Sequence, residues 1–141
     1  MPEKLLIVDD EPDMLRLLQM IVREKTPYEV TTTNNPLEAL GLARKGGFDL
    51  LITDLKMPGL DGIELLNTVR EFDADIPIII ITAFSTAEAA DAAMEKNAFD
   101  FITKPFRKEQ ILFTIEKAIK WLRIHRENKT LRESLGKEQS Q

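Results

Sequence analysis

Leu50-Leu51-Ile52-Thr53-Asp54-Leu55-Lys56-Met57-Pro58-Gly59 is the stretch whose reading decides the fold. A short apolar run ends on one carboxylate, and turn residues follow at once, through Met57-Pro58-Gly59 and then Asp61-Gly62. A run this short, bounded in this way, reads as a strand buried on both faces of a sheet. Asp54 then stands at the carboxyl end of a central strand, where open α/β sheets place their ligand crevice. Taken by itself, Asp54 reads equally well as a residue that starts a turn.

On either side of this stretch, strands and helices alternate. Leu5-Leu6-Ile7-Val8 is an apolar run ending at Asp9-Asp10-Glu11, and Pro12 and Asp13 open a helix with Leu15, Leu18, Ile21 and Val22 on one face. Tyr28 to Thr33 alternates and is β-branched, as an edge strand is. Asn35-Pro36 starts a helix carrying Leu37, Ala39, Leu40 and Ala43, which Gly46-Gly47 stops. A helix near 62–72 is expected to turn Ile63, Leu66 and Val69 inward. Pro77 to Thr82 is the most hydrophobic strand. The helix from about Thr86 to Lys96 is mostly alanine, so it is expected to pack thinly and to be among the more mobile elements. Phe99-Asp100-Phe101-Ile102 is the last strand, and a long helix begins near Arg107. Five strands alternating with five helices predict a doubly wound α/β fold, a parallel sheet with helices on both faces.

The strand ends carry the chemistry. They present Asp9 and Asp10, Asp54, Thr82 and Lys104, and in a doubly wound sheet these ends share one edge. Each has a bland explanation: Asp9, Asp10 and Glu11 suit a helix N-terminus, Thr82 a strand end, Lys104 a solvated position. Four ends agreeing is harder to explain blandly. Crowded carboxylates need a cation, and hard oxygen donors completed by water suit Mg2+ better than zinc or iron. Mg2+ with a lysine, a hydroxyl and a spare carboxylate suits phosphoryl transfer, with Asp54 as the nucleophile that becomes an aspartyl phosphate.

Composition sets the bounds. The 141 residues, 43% of them hydrophobic, fit one compact domain. Without cysteine there is neither a disulfide framework nor a thiolate metal site. No apolar stretch approaches the ~20 residues of a membrane span, and Met1-Pro2-Glu3-Lys4 leads straight into a strand, so a cytoplasmic location is expected. Residues 1–106 hold 10 Lys/Arg against 19 Asp/Glu, a net of −9. Residues 107–141 hold 9 against 5, a net of +4. The acidic body argues against direct nucleic-acid binding. The basic end reads as a solvated helix face, with an acidic partner or a membrane surface as alternatives.

Leu5-Leu6-Ile7-Val8-Asp9-Asp10-Glu11, Asp54 with Met57-Pro58-Gly59 and Asp61-Gly62, Ile81-Thr82-Ala83 and Phe101-Ile102-Thr103-Lys104-Pro105-Phe106 together resemble the receiver domain of two-component response regulators. The likeness runs over about residues 4–122. It implies a flavodoxin-like sheet of order 2-1-3-4-5 and a phosphoacceptor, not a turnover enzyme. By this likeness Asp54 is phosphorylated by a sensor histidine kinase, and Mg2+ is held by Asp9, Asp10, Asp54 and the backbone carbonyl of Lys56. Thr82 and Lys104 contact the phosphoryl group. Thr82, Phe101 and Pro105 form the switch, with Lys104-Pro105 cis. Phe101 stands where the family often has Tyr and lacks its hydroxyl.

The last helix needs only Leu112, Ile115, Ile119 and Leu122 to cover the sheet, yet its pattern continues. Trp121, Ile124, Asn128, Leu131 and Leu135 recur at heptad spacing, with Trp121, Asn128 and Leu135 at a and Ile124 and Leu131 at d. Asn at one a position favours a parallel, in-register homodimer, with Glu127 facing Arg132 of the partner helix. Residues 1–122 are thus expected to be the receiver and 123–141 a helical linker serving as a coiled-coil dimer segment, the alternative being a helix that packs on its own domain or frays. Such an extension resembles receivers of the nitrogen-regulator type, which control an AAA+ output that activates transcription with the alternative sigma factor. That output, and any DNA-binding part, would lie outside these residues. His125, the only histidine, is expected on the exposed side beside Arg126, without a role.

Other classes fit less well. A Mg2+-dependent aspartyl phosphatase needs a second Asp two residues after the nucleophile, and Lys56 stands there. A flavodoxin-like binding module needs a phosphate-cradling loop after the first strand, where Asp9-Asp10-Glu11 would repel a phosphate. A stand-alone receiver acting through protein contacts also fits.

Overall fold

A computed structural model describes residues 2–139, with side chains through Ser134. The elements in chain order are β1 (Lys4–Val8), α1 (Pro12–Lys25), β2 (Glu29–Thr33), α2 (Pro36–Lys45), β3 (Leu50–Thr53), α3 (Gly62–Phe72), β4 (Ile78–Thr82), α4 (Ala87–Glu95), β5 (Asp100–Thr103) and α5 (Lys108–Gln139). All strand pairs are parallel, in the order β2-β1-β3-β4-β5, so the doubly wound sheet forms as expected.

Side chains alternate across a strand, and here the alternation builds two cores. Leu5, Ile7, Leu50, Ile52, Ile79, Ile81 and Ile102 point to one face, where α1 and α5 cover them. Leu6, Val8, Leu51, Ile78 and Ile80 point to the other, against α2, α3 and α4. The expected helix faces are close but not complete. In α3, Leu65 is fully buried beside Leu66 and Val69, while Ile63 is only half-buried. In α5, Ile111 enters the core and Leu112 is half-buried. Leu37 lies outside the core, 60% exposed. Ala93 is the one fully buried residue of α4, the thin packing that its alanines imply.

Asn35, Asp61 and Thr86 cap α2, α3 and α4, each accepting a backbone N–H of its first turn. Pro12 opens α1 without a side-chain cap. The 32 residues of α5 measure about 48 Å at about 1.5 Å per residue. The five-residue strands span only about 17 Å, so the helix outruns the sheet. Because α5 crosses antiparallel to the strands, its far end emerges at the edge where the strands begin. Leu135 lies outside the residues whose side chains are described. No helix among the described residues is long and apolar enough to cross a membrane.

Candidate functional site

Backbone hydrogen bonds hold the strand ends level. Asp54 N–H donates to Val8 O at 3.1 Å, and Lys104 N–H donates to Thr82 O at 2.9 Å. β1, β3, β4 and β5 therefore deliver Asp9, Asp54, Thr82 and Lys104 to the same edge. Ligand atoms of Asp9, Asp10, Glu11 and Asp54 all lie within 4.8 Å of one another. Asp9 and Asp54 are buried, whereas Asp10 and Glu11 face solvent.

Lys104 enters this group from β5. Its Nζ donates to Asp9 Oδ2 at 2.8 Å and to Asp54 Oδ2 at 3.0 Å, and stands 3.8 Å from Glu11 Oε1. Backbone donors complete the two buried carboxylates: Glu11 N–H binds Asp9 Oδ1 at 2.9 Å, and Leu55 N–H binds Asp54 Oδ1 at 2.6 Å. Burial raises the Asp9 pKa, and the hydrogen bond from Lys104 does not fully offset it. For Lys104 burial works downward, but its bonds to Asp9 and Asp54 outweigh it and hold the ammonium above its ordinary value. One ammonium thus serves three carboxylates of a four-acid group, and burial still holds Asp9 above its ordinary value.

The other residues expected at this edge take separate positions. Thr82 is fully buried, and its hydroxyl accepts the Phe84 N–H at 3.1 Å; among the described residues it makes no hydrogen bond to the acids. Lys56 turns its side chain outward, with Nζ 5.6 Å from the Phe84 ring centroid. Phe101 is half-buried against the α2–α4 face of the sheet. The Lys104-Pro105 peptide is cis, as expected.

Two residues were not legible as parts of the site. Glu11 reads as helix-start charge, yet it joins the acidic group. Gly62 reads as a turn glycine at the start of the helix near 62–72, and it is the first residue of α3, but its N–H also donates to Leu55 O at 2.7 Å. A Cβ there would collide with the Asp54 carbonyl oxygen and come within 2.9 Å of Leu55 Cα, so only glycine lets α3 start this close behind Asp54.

His125 also departs from expectation. It is half-buried, stacks on Trp121 with centroids 4.8 Å apart, and places Nε2 3.2 Å from Asp75 Oδ1. Trp121 itself leans on Phe99, with centroids 6.2 Å apart. The first position of the expected dimer stripe therefore already has partners within the chain.

A sequence profile described as "Response regulator receiver domain" matches residues 5–116. The chain is 36% identical over 132 residues to the uncharacterized transcriptional regulatory protein YkoG of Bacillus subtilis, covering 94% of this chain and 55% of that protein. It is 34% identical over 120 residues to the transcriptional regulatory protein ZraR of Klebsiella oxytoca, covering 85% and 27%. Among solved structures, NtrX from Brucella abortus in complex with ADP superposes with a TM-score of 0.85 at 28% identity, covering 93% of this chain and 30% of that one. The chain thus spans well under two thirds of these relatives.

Proposed function

The chain belongs to the response regulator receiver domain family, and from that premise we propose that it is a phosphoacceptor whose nucleophile is Asp54. Receivers are signalling domains that work with histidine kinases rather than turnover enzymes. The observation that carries the assignment is Lys104 bridging Asp9 and Asp54 inside the acidic edge. An Asp54 carboxylate oxygen attacks the phosphorus of a phosphohistidine on a sensor kinase. The new O–P bond forms as the N–P bond breaks, and the histidine nitrogen leaves. Lys104 then moves its ammonium charge onto the phosphoryl oxygens, and the Thr82 hydroxyl donates to one of them.

The donor set fits Mg2+. Asp9, Asp10 and Asp54 are hard oxygen ligands that converge, two of them backed by backbone N–H groups and one, Asp9, held above its ordinary pKa by burial. The Lys56 carbonyl would add a further oxygen. When bound, the ion neutralises charge as it builds on the phosphoryl oxygens.

An aspartyl phosphate adds roughly −1.5 to −2 charge at Asp54, and drawing Thr82 and Lys104 toward it biases β4, β5, Phe101 and the Pro105 turn toward a second packing. Residues 1–122 serve as the receiver and 123–141 as the linker. Ile124 and Leu131, 49% and 54% exposed, supply with Asn128 the middle of a parallel coiled-coil stripe that Trp121 and Leu135 bound. A homodimer through this stripe passes the switch to an output domain elsewhere in the protein, of the AAA+ transcription-activating kind found with nitrogen-type receivers. In this reading the protein works in the cytoplasm.

The test is incubation with Mg2+ and a small acyl-phosphate donor, followed by intact mass. The wild type gains about 80 Da and Asp54→Asn gains nothing. Equal gains in both proteins, or no gain in either, overturn the assignment.

A further inference from the structure

The basic surplus of the C-terminal stretch has a destination. Past Leu122, α5 runs by the edge where the strands begin and meets three acids there. Arg123 brings Nε and Nη2 to Glu3 Oε1, at 2.7 and 2.6 Å. Arg126 Nη2 lies 2.7 Å from Asp49 Oδ1. Lys129 Nζ lies 3.7 Å from Asp75 Oδ2, on the carboxylate whose other oxygen faces His125. The cations are spaced three apart on one helix, and the acids come from three separate segments. Glu3 lies just ahead of β1, Asp49 just ahead of β3, and Asp75 ahead of β4.

Two of the acids are also held by bonds that do not involve the helix. Asp49 Oδ2 accepts the Lys4 N–H at 2.8 Å, which ties it to the start of β1. Asp75 is set in a turn where its N–H donates to Asp73 Oδ1 at 3.1 Å. The Glu3 and Asp49 side chains are only 15% and 17% exposed, so salt screens these two pairs less than pairs on an open helix surface. Trp121, packed between Phe99 and His125, adds an apolar contact at the same end.

We propose that the acidic strand-start edge is the docking surface for the chain's own linker helix. Arg123, Arg126 and Lys129 form a clasp that fixes the rotation of α5 about its axis. At about 100° per residue, Arg126 and Lys129 share the side of the buried Leu122, while Ile124, Asn128 and Leu131 fall on the far side. The clasp therefore turns the apolar stripe outward. It stands independently of the phosphoacceptor reading; only its consequence, that the stripe is presented to a second copy, rests on the dimer proposed above.

Amide hydrogen exchange over residues 123–131 of the full chain, at several protein concentrations, tests the clasp. Protection is expected to be independent of concentration. It should fall roughly tenfold in R123Q/R126Q/K129Q, the combined effect of three partly exposed pairs. R126D alone should lose protection, and D49R/R126D, which exchanges the partners, should regain it. Protection that rises with concentration, survives the triple substitution, or fails to return in the exchanged pair overturns the clasp. Asp54→Asn should leave exchange here unchanged, so failure of the phosphoacceptor reading and failure of the clasp register separately.

Discussion

The two edges of the sheet carry the same kinds of residue and treat them in opposite ways. Where the strands begin, Glu3, Asp49 and Asp75 each face a basic side chain of α5, and charge is matched pair by pair. Where the strands end, Asp9, Glu11 and Asp54 converge on Lys104, and Asp10 stands in the same acidic group with no ion pair of its own among the described residues. An acid matched by its own cation is architecture. An acid cluster left short of positive charge is a site prepared for charge from outside, because the missing stabilisation returns when a metal ion arrives. The difference lies in which element supplies the cations, not in how many acids the sequence holds.

The contrast can be broken most forcefully at Gly62. Gly62→Ala drives a methyl group into the Asp54 carbonyl, so it should destabilise the fold by about 1–3 kcal/mol, the usual cost of overpacking, and slow phosphoryl uptake with it. Denaturant unfolding checks the first effect. A stability equal to wild type would mean that α3 does not need its close start.

A smaller effect concerns pH. The Asp9 pKa is raised, so its charged form is the disfavoured one in the folded protein, opposite to a salt-bridged acid of depressed pKa. In chelator this group costs stability above its folded pKa; the cost shrinks as pH falls below that value and is gone below the ordinary carboxylate pKa. Mg2+ needs the carboxylate, so it competes with the proton. The rise in thermal midpoint on adding Mg2+ should therefore be large at neutral pH and shrink toward the carboxylate range. An equal Mg2+ effect at both ends would separate the metal from this pocket.

The finest test compares signs. Asp10→Asn removes a like charge from the crowded edge and should raise the midpoint in chelator while abolishing the response to Mg2+. Arg126→Gln removes half of a matched pair at the other edge and should lower the midpoint slightly, as single partly exposed pairs do. Two shifts of the same sign would erase the distinction between the edges.

Much of this was legible in the sequence for a local reason. Leu50 to Asp54, Leu5 to Asp9, Pro77 to Thr82 and Phe99 to Lys104 each announce an apolar strand that ends on a polar group. The alternation of elements then places those ends together. The strand-start edge was not legible, because Arg123, Arg126 and Lys129 at three-residue spacing look like an ordinary solvated face. Their partners lie up to 120 residues away in sequence. The His125 contact escapes the sequence for the same reason: Asp75 belongs to a loop with no pattern pointing to α5. Gly62 escaped because a close backbone approach leaves no mark on the glycine itself. In α5, Ile111 fills the core one turn before Ile115, while Leu112 packs at the rim of that face.

The central claim is that the unmatched edge carries its chemistry on one oxygen acid, Asp54. After reaction with Mg2+ and an acyl-phosphate donor, borohydride reduction converts an aspartyl phosphate into homoserine, and peptide mass mapping locates the change. The account predicts homoserine at residue 54 and at no other acid. Homoserine at Asp9 or Asp10, or unmodified Asp54 in a protein that has gained phosphate, would contradict it.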